Sequence, residues 1–555
     1  NHLGWLEILV PVIGALIVGF MARYGSDKIR GHGIPEALES ILINGSKIEP
    51  KVALLKPISS AISIGSGGPF GAEGPIIMTG GAVGSMIAQF FHLSSAERKT
   101  LLAAGAAGGM TAVFGTPVAA VLLAVEVMLF EWKPRSLIPV ALASATSALF
   151  RYYLVSPTLL FPVPPHVSFI GPVALIACVL VGIIAGVASM LLTMAVYASE
   201  DAFHHLPIHW MWWPAIGGVV IGIGGLIFPQ ALGVGYDVIG MLLKGNIPLK
   251  VIIGILIVKS IIWSFSLGSG TSGGIVAPIL MIGGALGGVE AIFLPNEGAG
   301  FWALISMAAV MGGTMRAPLT GILFALEVTH DVNSLLPLLI AVAISYTFSV
   351  LFMRRSILTE KVSRRGYHLS SEYATDPLEI IFVREVMRTN VVALSSSLSP
   401  KALAQALHDS LQNHKVQHLY PILNATKQLV GVVTRRDLQV LAQEHHIENE
   451  NLKLDDVLHT EPVVAYADEP LRTVVYRMAD TGYTRFPVVE RENPRHLVGI
   501  VSLQDLLKAR SRNLDEERRR ERVLHLHLFF PGRGHEPQAL TTKEEIDRDL
   551  IKERE

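Results

Sequence analysis

Gly65–Ile87 reads GSGGPFGAEGPIIMTGGAVGSMI, and 203 residues later the chain echoes it at Gly268–Val289, GSGTSGGIVAPILMIGGALGGV. Both stretches open on Gly-Ser-Gly. At the constant offset Gly71 falls on Gly274, Pro75 on Pro278, Met78 on Met281 and Gly80-Gly81 on Gly283-Gly284. That is a duplication. Its two copies differ most in chemistry where Glu73 of the first becomes Val276 of the second, which leaves one carboxylate in a Gly-rich turn among apolar residues.

The repeat extends outward in both directions. Upstream, one apolar span leads through the polar connector Arg23–Arg30 to Gly31-His32-Gly33-Ile34-Pro35. In the second half, Trp210–Ile227 leads to Gly233-Val234-Gly235-Tyr236. Downstream, GTPVAAVLLAVEV at Gly115–Val127 answers RAPLTGILFALEV at Arg316–Val328, so that Pro117 matches Pro318 and Glu126 matches Glu327. The region to about residue 352 therefore reads as two copies of one unit. The segment Ile170–Ser199 has no counterpart before residue 1, and the chain begins with Asn rather than Met, so a first helix is expected upstream.

Composition says where these copies live. The 555 residues are 51% hydrophobic, with a mean hydropathy of +0.47, too apolar for an ordinary soluble protein. Long apolar runs recur up to Phe352, among them Ile8–Ala22, Val173–Tyr197, Val251–Trp263, Phe301–Met311 and Leu335–Leu351. About 20 apolar residues cross a hydrocarbon core of about 30 Å, and about ten or eleven such segments are predicted, several too short or too Gly-broken to cross singly. The net charge of −1 gives no reason to expect nucleic acid as a partner. The single cysteine, Cys178, rules out an internal disulfide framework.

Internal repeats in a polytopic membrane protein place a ligand site at the repeat interface near mid-membrane. Gly-rich, Pro-punctuated segment starts predict helices that begin inside the bilayer, and such N-termini offer unpaired N–H groups and a positive dipole end, which suit an anion. Glu73 would sit among those donors like a tethered anion: ionised it plugs the pathway, protonated it withdraws. Gly71, Gly74 and Gly274 would let the backbone approach the ligand closely.

A second repeat family begins near residue 381. Val386–Leu438 contains VMRTNVVAL, the helix-like KALAQALHDSL, YPIL and GVVTRRD. Val457–Leu506 contains VLHTEPVVAY, LRTVVYRMAD, FPVV and GIVSLQD. β-Branched strands alternating with amphipathic helices predict two small α/β modules, at 381–445 and 446–512, behind a linker at 361–380 and before a charged tail at 513–555 read as solvated helix or disorder.

GHGIP at 31–35, GAEGP at 71–75 and GIVAP at 274–278, in that order, resemble the three signature loops of the CLC chloride channel and transporter family, and the tandem modules resemble a CBS domain pair. The resemblance covers about residues 1–510. It implies an all-α membrane domain of two inverted repeats with broken helices, 1–360, plus a cytoplasmic α/β CBS pair. It further implies a homodimer in a lipid membrane, chloride or a similar small anion as ligand, no required cofactor and no enzyme activity. By resemblance Glu73 is the gating glutamate, the amides of Ile275 and Val276 line the central anion site, and His32, Gly33 and Ile34 contribute from the first loop. In nucleotide-binding CBS pairs the G-x-x-[ST]-x-x-D pattern, here Thr434 with Asp437 and Ser502 with Asp505, contacts phosphate and ribose of an adenine nucleotide.

The chain departs from the family pattern in several places. His32 stands where serine is common, Ala72 where a basic residue is common, Val276 where phenylalanine is common, and Leu358 where a tyrosine often closes the inner side. Val127 occupies the place of the exchangers' inner glutamate, as in the family's channels, and valine carries no proton. The expected function is therefore channel-like anion transport opened by protonation of Glu73. The alternative is chloride/proton exchange through Glu126, His32 or internal water. Glu126 and Glu327, being symmetry mates, are expected to satisfy helix ends instead. A remote alternative, a CBS-linked intramembrane metalloprotease, needs H-E-x-x-H, which does not occur.

Overall fold

The computed structural model describes residues 4–42, 46–91, 93, 95–155, 158–163, 166, 170–364, 378, 381–397, 417–438 and 462–520. The helix expected at 401–411, the first residues of VLHTEPVVAY and the tail beyond 520 lie outside the described residues.

The first repeat runs α1 (Leu9–Tyr24), α2 (Ile34–Leu42), α3 (Pro50–Gly65), α4 (Glu73–Phe90), α5 (Ser95–Phe114), α6 (Pro117–Leu123, continued as a π turn to Leu129) and α7 (Pro134–Leu154). The 33-residue α8 (Pro172–His204) then precedes the second copy, without a counterpart in the first. That copy runs α9 (Trp213–Ile227), α10 (Tyr236–Leu243), α11 (Leu249–Gly254), α12 (Ser260–Gly268), α13 (Val276–Glu290), α14 (Phe301–Met315), α15 (Pro318–Thr329) and α16 (Leu335–Phe352). A π turn at Ile255–Lys259 joins α11 to α12, and together they answer α3. Among the described residues six helices are long and apolar enough to cross a membrane, and four more are apolar but shorter. Prolines occupy the first turns of α3, α6, α7, α8 and α15, where a missing N–H costs nothing and φ is already helical.

Small residues let these helices pack backbone to backbone, as apolar lipid gives no hydrophobic drive between them. A Cβ on Gly80 would strike the Gly105 carbonyl, and one on Gly105 would strike the Gly80 carbonyl, locking α4 to α5. Gly283 against Met307 and Gly287 against Trp302 do the same for α13 and α14. α4 starts at Glu73, so the carboxylate stands on its first turn.

The tandem modules share one design. Leu394–Ser395 pairs parallel with Leu419–Leu423, which pairs antiparallel with Leu429–Thr434; Ala465–Tyr466, Arg485–Val489 and Leu497–Ser502 repeat it, with the register shift at equivalent places. The short helix Val383–Val386, at the start of the first module in sequence, packs into the core of the second, where Val383 joins Ala465, Leu471 and Phe486. The helix after the last strand extends from Leu503 to Arg520.

Candidate anion site at the repeat interface

The two Gly-rich stretches meet. Gly71 N–H donates to the Gly274 carbonyl at 3.1 Å and Gly274 N–H to the Gly71 carbonyl at 2.7 Å, a two-residue antiparallel bridge on the axis relating the copies. Flanking bonds obey the same symmetry: Gly31 N–H reaches the Gly270 carbonyl at 3.4 Å, and Gly233 N–H reaches Gly67 at 3.2 Å. The N-termini of α4 and α13 therefore converge on one point, each with orphan N–H groups and a positive dipole end.

Glu73 fills that point. Its side chain is 1% exposed, and Oε1 accepts from the N–H of Ala277, in the first turn of α13, at 2.9 Å. The carboxylate also lies against the N–H of Val276. One repeat's carboxylate thus occupies the helix N-terminus of the other, where a free anion would bind. Ile275 and Val276 are both buried there.

Not every backbone donor expected to face the ligand is free to do so. The amides of Gly71 and Gly274 are spent on each other, and Gly33 N–H donates to Glu36 Oε2 at 3.0 Å. These glycines serve close approach instead. A Cβ on Gly74 would run into the His32 carbonyl, and one on Gly33, whose φ is +90°, would lie 2.8 Å from the Gly74 carbonyl. His32 is buried with Nδ1 unpartnered, and it lines a cavity of about 510 Å³ together with Arg30, Glu36, Tyr197, Lys361 and Arg364. Glu36 forms an ion pair with Lys361 at 2.6 Å, which ties the first signature loop to the short helix Glu360–Arg364 (α17). Leu358 is 1% exposed and belongs to the apolar core, so it offers no polar group to the pathway.

Glu126 and Glu327 are reciprocal caps. Glu126 accepts from Leu319 N–H at 3.0 Å, Thr320 N–H at 2.8 Å and the Thr320 hydroxyl at 2.7 Å, at the start of α15. Glu327 accepts from Val118 N–H at 2.9 Å and Ala119 N–H at 2.8 Å, at the start of α6. Each satisfies orphan donors of the other repeat's helix. Val127 follows Glu126 in the π turn, buried and without a carboxylate.

Two buried lysines at the site escaped the sequence reading. Lys56 is fully buried and donates to the carbonyls of Ile29 (2.8 Å) and Gly31 (2.7 Å); Lys259, 203 residues later, is fully buried and donates to Ala231 (2.9 Å) and Gly233 (2.6 Å). Each lysine holds its own repeat's Gly-x-Gly loop in place. The signal was the same offset that exposed the duplication.

In the tandem modules the Ser/Thr–Asp pairs close on themselves. Thr434 donates through N–H (3.0 Å) and hydroxyl (2.7 Å) to Asp437, and Ser502 does likewise to Asp505 (3.1 and 2.5 Å). Arg388 also engages Asp505, through Nε at 3.0 Å and Nη2 at 2.8 Å. His418 nearby is held below its usual range by its partial burial and by Arg485, Arg435 and Arg388.

The sequence profile of the family described as Voltage gated chloride channel matches residues 13–350, and that of the CBS domain matches residues 383–441 and 454–512. The H(+)/Cl(-) exchange transporter ClcA of Klebsiella pneumoniae (strain 342) is 31% identical over 376 residues, covering 61% of this chain and 75% of that protein. The crystal structure of a slow cyanobacterial Cl-/H+ antiporter superposes with a TM-score of 0.59 at 23% identity, over 65% of this chain and 87% of that one. A eukaryotic CLC transporter superposes with a TM-score of 0.54 at 21% identity, over 90% of this chain and 89% of that one. The fold is theirs: apolar helices in two inverted repeats followed by small mixed sheets. With the family profile spanning more than half of its length, this chain belongs to the voltage-gated chloride channel (CLC) family and carries a CBS domain pair.

Proposed function

We propose that this integral membrane protein carries chloride or a similar small anion across the bilayer, as a homodimer with one pathway per subunit. In this reading Glu73 is the gate. The observation that carries it is the Glu73 carboxylate seated against the first-turn amides of α13, the position an anion would take. Ionised, the carboxylate competes with the anion for those donors; protonated, it loses its charge attraction to the dipole end and yields them. The CBS pair is assigned to the cytoplasm, with an adenine nucleotide as its candidate ligand near Thr434, Asp437, Ser502 and Asp505. The exposed apolar side chains expected of a lipid or partner contact are present on α7 and α16, for example Leu142, Phe150 and Leu336.

We assign channel-like conduction. Val127 supplies no proton carrier, and Glu126 has both oxygens committed to α15. A second reading, chloride/proton exchange, is favoured by the names of relatives such as the Klebsiella exchange transporter. In liposomes, Glu73→Gln is expected to pass chloride with little pH dependence; a pH response like that of the wild type overturns the gate. Under a chloride gradient, uphill proton movement means exchange. Flux that settles at the chloride equilibrium potential without proton movement means conduction.

A further inference from the structure

Among the described residues, the buried side-chain atoms without a hydrogen-bond partner include Glu73 Oε2 and the phenolic oxygen of Tyr236. Tyr236 opens α10 directly after Gly235, whose φ of +81° turns the chain into the helix. Its ring is held edge-to-face by Phe114 and Phe161, with centroids 6.3 and 6.0 Å away, so the hydroxyl has a fixed aim. Gly235, the residue before it, packs against Met281, one turn along α13 from Ala277, and the Glu73 charge acts on the phenol. Lys259 also senses this charge, but its amine already serves Ala231 and Gly233. His32, from the first signature loop, meets this point through its carbonyl at Gly74. A ring needed only for packing could be phenylalanine, because a buried hydroxyl without a partner is costly.

We propose that Tyr236 is the positioning residue of the gate, donating its hydroxyl to Oε2 of the ionised Glu73 while Ala277 N–H holds Oε1. A hydrogen bond among apolar rings is stronger than one in water. A donor to the charged form favours that form, so the phenol keeps the plug ionised and seated to lower pH. The proposal rests on Glu73 being the plug.

The test is chloride flux against pH in liposomes for wild type, Tyr236→Phe, Glu73→Gln and the double variant. Tyr236→Phe keeps the ring and removes the donor. Its flux is expected to switch on at higher pH, with the midpoint displaced by about 1–2 pH units, a 10- to 100-fold easier protonation. In the Glu73→Gln background the same change is expected to do nothing, as no charge remains to hold. A wild-type midpoint in Tyr236→Phe overturns the proposal. So does an equal change in both backgrounds, which would mean a packing role. If Glu73→Gln keeps its pH response, the gate assignment fails first; if it loses that response and Tyr236→Phe shows no shift, only the role of Tyr236 fails.

Discussion

Glu126→Gln discriminates between a structural and a proton-carrying role for the glutamate beside Val127. Two N–H groups at the start of α15 depend on this carboxylate, and the Thr320 hydroxyl adds a third donor that can turn elsewhere. A hydrogen bond to a charged acceptor is worth about 1.5–3 kcal/mol net, so removing both amide bonds costs about 3–6 kcal/mol. Glutamine keeps one acceptor oxygen and turns an amide donor toward the other N–H, so Glu126→Gln is expected to cost about half of that, ~1.5–3 kcal/mol. Glu327 serves two amides at nearly the same distances, so Glu327→Gln is expected to cost the same. The assay is thermal unfolding of the purified protein in detergent, paired with chloride and proton flux after reconstitution. Equal destabilisation by the two variants, with unchanged flux per folded protein, is the expected result. If Glu126→Gln unfolds like the wild type and alone abolishes proton movement, the capping argument is wrong and Glu126 is a proton carrier.

Two further outcomes follow from the loops. Lys56→Met strands two buried carbonyls, at about 1–3 kcal/mol each, and is expected to speed hydrogen exchange at residues 27–33 while sparing the second repeat; Lys259→Met should do the reverse at 229–235. Gly74→Ala is expected to abolish flux, because its methyl would collide with the His32 carbonyl, whereas Gly240→Ala meets nothing within 4 Å and should leave flux unchanged while firming α10 by about 1 kcal/mol. Flux assays with size-exclusion profiles check both glycine variants.

The order of elements was legible because the duplication is written at constant spacing, so Glu73, Pro117/Pro318 and Glu126/Glu327 announced themselves as symmetric or asymmetric positions. Lys56 and Lys259 were passed over because their partners are carbonyls 25–28 residues away, beyond any local pattern. Gly33 was read as a donor to the ligand, but Glu36, three residues on, claims its N–H, a local bond that a capping pattern could have suggested. Tyr236, read only as part of the second repeat's Gly-x-Gly loop, was given no role, because a phenol at a helix start looks like any core aromatic until the unpartnered carboxylate oxygen is seen. The lodging of Val383 in the second CBS core rather than the first is a long-range contact that module boundaries drawn on sequence conceal.

The hydrogen bonds exchanged across the pseudo-two-fold axis also limit how this protein can move. Tilting one repeat against the other, as rocking carriers do, would sever the Gly71–Gly274 bridge, the Gly31–Gly270 and Gly233–Gly67 bonds and both glutamate caps together. Each break inside the bilayer leaves backbone donors that need new partners. The frame is riveted at its centre, which suits the proposed gate, a side-chain movement of Glu73. On that proposal the pathway would open by a swinging latch while its walls stand still.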